Sequence, residues 1–281
     1  MLKEYKYSFL LNPLTRYFAG TYGNTIGVNQ LKRETPIVVS LSLSEGGSYE
    51  NLELSLYSLL TQSVMPDRLI LWMSDKYNLS DLPYSITRYI KNGLEIKFVQ
   101  DLGAYTGTIH SLQQFEKSIL VVADGTVYYP KDWLKKLYHS YISSQKDIHV
   151  HVAHRIRLDD ARKKLIPFAE WEKHINIERP SYANFISLSG GILYPPNCFS
   201  KEVFRGDIYQ KYNIDADIWF WFMGLLSGRK IRVVKNHINV IKSLDIINKL
   251  KINQEEQNKK KDRQIETLME FYGQNILVKF M

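Results

Sequence analysis

Pro36-Ile37-Val38-Val39-Ser40-Leu41 is short, apolar and β-branched, the composition of a parallel strand buried on both faces. Outward from it, strand and helix periods alternate. Leu52, Leu56, Leu59 and Leu60 fall on one helical face. Pro66-Asp67 breaks that helix, and Leu69-Ile70-Leu71-Trp72-Met73 reads as a second strand. Leu82, Ile86, Tyr89 and Ile90 predict another helical stripe, closed by Gly93 as a cap. Leu94 to Val99 is a third strand, Ile109, Leu112 and Phe115 mark a short helix, and Ile119-Leu120-Val121-Val122-Ala123 is a fourth strand. Trp133, Leu134, Leu137, Tyr138 and Tyr141 make the next amphipathic helix, with Pro130 near its start.

Strands alternating with helices predict an α/β fold with a mostly parallel central sheet and helices on both faces. Ligands of such sheets bind beyond the carboxyl ends of the strands. Those ends are Ser42-Leu43-Ser44, Ser74-Asp75, Gln100-Asp101-Leu102-Gly103 and Asp124-Gly125-Thr126. Three of them carry an aspartate, which directs attention to this rim. In the second half, Ile148 to Ile156 alternates like a strand, and Arg157 to Asn184 is polar and broken by prolines. Gly190-Gly191 opens a short strand, Ile192-Leu193-Tyr194, that Pro195-Pro196 stops. Ile218, Phe222, Leu225 and Leu226 belong to an apolar helix, and Ile231 to Val234 is a strand. Ile265, Leu268, Met269 and Tyr272 form a helical face that Gly273 terminates. The expected organisation is an irregular lead-in over 1–34, one large domain over 35–240 and a helical extension over 241–281.

A chain of 281 residues, 44% hydrophobic and 23% charged, is globular rather than disordered or fibrous. One cysteine, Cys198, allows no internal disulfide and fits a reducing, cytoplasmic compartment. The apolar run within MLKEYKYSFLL is too short for a signal peptide. No stretch approaches the roughly 20 apolar residues of a membrane span, so a soluble or peripheral protein is expected. The formal charge of +8 favours an anionic partner such as a nucleotide diphosphate or a membrane surface, or belongs to a lysine-rich solvated surface. The tight basic run Lys259-Lys260-Lys261 sits in a polar stretch that reads as a solvated helix or linker.

Several segments, in order, resemble bacterial GT-A glycosyltransferases of surface polysaccharide synthesis. They are Pro36 to Ser42, Pro66 to Ser74, Gly93 to Gly103, Val122 to Leu134, His151 to Arg155, Gly190 to Pro196 and Asp215 to Trp221. The resemblance implies the GT-A fold, a nucleotide-diphosphate sugar donor, a glycan or lipid-linked saccharide acceptor, and a divalent metal, Mn or Mg. It also implies a place at the inner face of the membrane. The family's fourth strand ends in an acidic Asp-Asp-Asp run that holds the metal; here only Asp124 remains, with Gly125 and Thr126 replacing the other acids. The loop after the third strand, Ala104-Tyr105-Thr106-Gly107, lacks the family's lysine. Without a metal, cations such as Arg155 or Lys230 are expected to stabilise the diphosphate.

By position Asp217 matches the second acid of the family's pair before Ile-Trp-Phe, which implies the catalytic base of an inverting transfer. Its plain structural role would be helix capping, as for Asp215. Asp101 and Asp124 are expected to hold the nucleotide, or to start loops by accepting backbone N–H groups. Ser42 and Ser44 would contact the nucleotide through hydroxyl and backbone, while Gly190 and Gly191 would let the backbone approach a sugar or simply turn. His149 and His151 share a strand face and His154 points away, an arrangement without the Cys or carboxylate of a zinc site. There is no Walker-type loop, no Gly-x-Ser-x-Gly elbow and no nucleic-acid module, so nucleic acid is not an expected partner. The competing reading is a non-catalytic GT-A-like domain that binds a glycan or a partner enzyme.

Overall fold

The computed structural model describes residues 23, 25–43, 45–159, 164–242, 254–273 and 276. Its strands are β1 (Ile37–Ser42), β2 (Arg68–Ser74), β3 (Leu94–Val99), β4 (Ile119–Val122), β5 (Val127–Tyr128), β6 (Ile148–Val150), β7 (Ala153–Arg155), β8 (Asn184–Ile186), β9 (Ile192–Tyr194), β10 (Ile231–Val233) and β11 (Ile241–Lys242). The helices of more than two turns are α1 (Tyr49–Leu60), α2 (Thr106–Gln114), α3 (Trp133–Ser143), α4 (Ala216–Leu226) and α5 (Gln254–Tyr272). Among the described residues, seven strands form one sheet in the order β10-β6-β9-β4-β1-β2-β3. All neighbours in it are parallel except β9, which runs antiparallel to both β4 and β6. The fold is therefore α/β with a mostly parallel central sheet, as the alternating periods require.

The pleat sends successive side chains of β1 to opposite faces. Ile37, Val39 and Leu41 pack with the leucines of α1 and with Trp133, Leu134 and Leu137 of α3. Val38 belongs to the other face, with Ile109 of α2, the apolar residues of α4, and Ile265 and Leu268 of α5. Ser48 opens α1, its side chain accepting the Asn51 N–H at 3.3 Å. Among the described residues, no helix is long and apolar enough to cross a membrane.

Two segments differ from their sequence reading. The stripe from Leu82 to Ile90 is a series of single turns around Tyr84–Thr87, because Pro83 and the Asn78 capping box restart the chain there. Leu82, Ile86 and Tyr89 reach the core, while Ile90 stays exposed. Gly93 closes the series at φ 105°, as its cap role demands. Ile148 to Ile156 is not one strand: the chain turns at His151-Val152, and β7 pairs with β8 instead of the main sheet. The shared-face argument for the histidines lapses with that turn.

His149 and His151 are buried and occupied by protein groups. The His149 ring meets Ser140 Oγ at 2.8 Å and Ser144 O at 2.9 Å. His151 meets Trp133 O at 3.0 Å and accepts the Ile238 N–H at 3.0 Å. Burial pushes His149 down to about 4 and His151 down to about 3. Both are neutral when folded, whereas the unfolded chain takes up protons below about pH 6.5. Their contribution is thus complete above that pH and is lost as pH falls toward 4 and then 3. Urea titrations at pH 7, 6, 5 and 4 should show stability dropping by up to about 1.4 kcal/mol per unit for each ring. His149→Gln should flatten that slope; an unchanged slope would remove the assignment.

Candidate functional site at the carboxyl rim

Chain order along the sheet reverses at β1. The chain proceeds from β1 to β2 and β3 on one side, and β4 lies on the other. In open α/β sheets such a reversal is where loops leave on opposite sides and ligands bind beyond the carboxyl ends of the strands. Ser40 pairs with Val122, and the Ala123 N–H donates to Ser40 O at 2.8 Å, which sets Ser42 and Asp124 level at this rim. The backbones approach closely here. A Cβ on Gly125 would stand 3.2 Å from both Ser42 O and Leu52 Cδ1, and one on Gly107 would stand 3.4 Å from Ser42 Oγ. Below them a buried network ties α2 to the strands. Ser40 Oγ donates to Gly107 O at 2.9 Å, Ser111 Oγ to Ser40 Oγ at 2.8 Å, and Trp72 Nε1 lies 3.0 Å from both hydroxyls.

Asp124 and Asp101 each spend one oxygen locally. Asp124 Oδ1 accepts the Thr126 N–H at 2.9 Å and the Thr126 hydroxyl at 2.6 Å. The buried Tyr129 hydroxyl accepts the Asp124 N–H at 2.6 Å and so fixes the turn. Asp101 Oδ1 accepts the Gly103 N–H at 2.8 Å and the Thr106 hydroxyl at 2.9 Å, starting α2. The second oxygen of each accepts no hydrogen bond among the described residues and is available to a ligand. Ser44 lies outside the described residues.

The expected metal has a poor donor set. Mn²⁺ and Mg²⁺ take several hard oxygens. Thr126 turns its hydroxyl onto Asp124, Gly125 offers no side chain, and among the described residues no three His, Cys, Asp or Glu gather at one point. A tightly held Mn or Mg does not fit these residues.

Asp217 stands at the start of α4, but neither its carboxylate nor that of Asp215 caps the helix as sequence alone allowed. Asp217 Oδ1 accepts the N–H of its neighbour Ile218 at 2.9 Å, and Oδ2 faces Lys261 Nζ at 2.6 Å. Asp215 Oδ1 meets Lys260 Nζ at 2.7 Å, and its Oδ2 lies 3.9 Å from Lys261. Both lysines come from α5, so the reading of their run as solvated is corrected. Within it, Lys259 faces solvent and pairs with Glu255. Asp262 further pins α5 by accepting the Phe168 N–H at 2.7 Å. Sequence reasoning missed Lys261 because its partner lies 44 residues away. A second missed residue is Tyr105. Its hydroxyl donates to Ile214 O at 2.5 Å and its ring stacks on Tyr209 at 4.1 Å, tying the turn after β3 to the segment entering α4.

Gly190 and Gly191 reach the same rim, since the next residue, Ile192, pairs with Val122 and Val150. Packing accounts for both. Gly190 O accepts Trp133 Nε1 at 2.8 Å, and a Cβ on Gly190 would lie 2.8 Å from Val152 Cγ2. Gly191 has φ 80° and ψ 150°, and its Cβ would overlap the Trp133 ring. Arg155 and Lys230, expected beside the diphosphate, instead line a cavity near the amino end of β10. They are tied to the level of Ile231, where β10 begins, and not to the carboxyl rim.

No family model matches the chain, and no curated protein matches it. Among solved structures it is similar to residues 1–349 of S. aureus TarS, at 13% identity and a TM-score of 0.46 over 74% of this chain and 60% of that one. GalNAc-T7, solved with UDP, GalNAc and Mn²⁺, matches at 12% identity and a TM-score of 0.45 over 78% of this chain and 48% of that one. A 4-diphosphocytidyl-2C-methyl-D-erythritol synthase matches at 11% identity and a TM-score of 0.49, over 77% and 99%. The chain thus spans less than two thirds of the first two structures it matches.

Proposed function

We propose that this protein is a GT-A-type glycosyltransferase that takes a nucleotide-diphosphate sugar in the crevice between β1 and β4. It passes the sugar to a glycan or lipid-linked saccharide. The observation that carries this reading is the level placement of Ser42 and Asp124 at the reversal of strand order, braced by glycines in close backbone contact. Ser42 and the open oxygens of Asp124 and Asp101 would accept or donate hydrogen bonds to the nucleotide. Asp217 would act as base in an inverting transfer. It takes the acceptor hydroxyl proton, the acceptor oxygen bonds the anomeric carbon, and the bond to the diphosphate breaks with its electron pair leaving on the nucleotide. Lys261 must first release Oδ2. A cytoplasmic protein at the inner membrane face, meeting a lipid-linked acceptor, agrees with this chemistry.

A second reading, a non-catalytic domain of the same fold that binds a glycan or a partner enzyme, draws on the ion pair that occupies Asp217 and on the thinned acidic run at Asp124. The test is a panel of nucleotide sugars with Mn²⁺, with Mg²⁺ and with chelator, read for binding and for turnover. Turnover with at least one donor is the expected result, with nucleotide binding weakened in Asp124→Ala. Binding without turnover would favour the second reading, and absence of both would sink the proposal.

A further inference from the structure

Beside the amino end of β10 lies a cavity of 530 Å³ lined by Arg155, Arg179 and Lys230, with Ser181 and Tyr182 in its wall. The three cations come from separate stretches that the backbone pins together. Arg155 pairs with Asn184 across β7 and β8, Asn184 Nδ2 donates to Ile231 O at 2.8 Å, and Ser181 bridges Ile231 on the free side of β10. No Asp or Glu lines the cavity, and among the described residues none of the three cations has a carboxylate within ion-pair distance. Lys230 Nζ lies 5.3 Å from the Tyr182 ring, and the tyrosine hydroxyl donates to Gly228 O at 3.2 Å, which fixes that wall. Arg155 is half-buried, and burial disfavours its charge, with Glu172 offsetting this in part.

Positive charges lining one concavity with no acid in its wall call for an anion, and guanidinium groups match the oxygens of phosphate in two-point contacts. The volume exceeds that of a bare phosphate, leaving room for the group that carries it. We infer that this cavity is a second anion site that binds a phosphate mono- or diester, separate from the nucleotide crevice at the carboxyl rim. The phosphate belongs either to a soluble phosphate ester or to a phospholipid headgroup.

The experiment compares wild type with the triple variant Arg155→Gln, Arg179→Gln, Lys230→Gln and with a charge-matched control, Lys117→Gln, Lys131→Gln, Lys201→Gln. Glycerol 3-phosphate is titrated calorimetrically, and co-sedimentation is read with phosphatidylcholine vesicles with and without phosphatidylglycerol. The expected result is binding that weakens by at least about tenfold in the triple variant and not in the control. Calorimetric binding identifies a soluble ester, and sedimentation with the anionic vesicles alone identifies a headgroup. Nucleotide binding should survive in the triple variant, so its outcome is independent of the proposed transferase activity. Absence of binding to both probes, or equal loss in the variant and the control, overturns the site. Thermal melting checks folding, and the exposed single change Arg179→Gln is read in place of a triple variant that fails to fold.

Discussion

Asp217→Asn is expected to lower sugar turnover by about 10²–10⁴-fold, the range for loss of a general base, with nucleotide binding unchanged. The amide keeps the shape and the contact to the Ile218 N–H but cannot take a proton. The fold should tolerate the change. Lys261 retains Asp215 at 3.9 Å, but both members of the broken pair are about four-fifths buried, so the change costs about 1–3 kcal/mol and melting is read beside activity. A loss of activity in protein still folded at the assay temperature therefore reports chemistry and not folding. The companion variant is Lys261→Met, which frees Oδ2 and leaves an unbranched apolar side chain near Phe168, whose ring centroid lies 5.5 Å from Lys261 Nζ. It should raise turnover severalfold if the ion pair restrains the base. Full activity in Asp217→Asn would remove the aspartate from the mechanism.

The largest stability effect is expected at Gly191. Its φ of 80° and ψ of 150° fall where only glycine is at ease, a strain of about 1–3 kcal/mol for any other residue. The added methyl would also drive into the Trp133 ring, and overpacking costs about 1–3 kcal/mol more. Gly191→Ala should therefore lose about 2–6 kcal/mol in urea unfolding, a large part of a typical domain's stability. Gly46→Ala is the control, since φ there is 76° but nothing lies within 4 Å of the new Cβ. It should lose only the backbone component. Equal losses at the two positions would show that contact with Trp133 is unimportant.

The central sheet was legible because its strands are buried runs with few competing patterns: β1, β2, β3 and β4 follow directly from Ile37, Leu69, Leu94 and Ile119 and their neighbours. Asp101 and Asp124 were legible as rim residues for the same reason. What local sequence does not encode is partnership across the chain. Nothing near Asp217 announces Lys261, and the polarity of α5 conceals that two of its lysines face inward toward acids. The turn at His151-Val152 was hidden because alternation persists through it while the pairing partner changes from β9 to β8. Arg155 and Lys230 are legible as cations, but chain position does not say at which end of the sheet they lie.

The phenol of Tyr105 has a mechanical consequence. By fastening the entry of α2 to the entry of α4, it makes the two a single lever, so displacement of one drags the other. Tyr105→Phe would cut that cord while leaving the ring stacked on Tyr209. The entry of α2, held by Asp101, would then lose its hydrogen-bonded link to the entry of α4, where Asp215 and Asp217 stand.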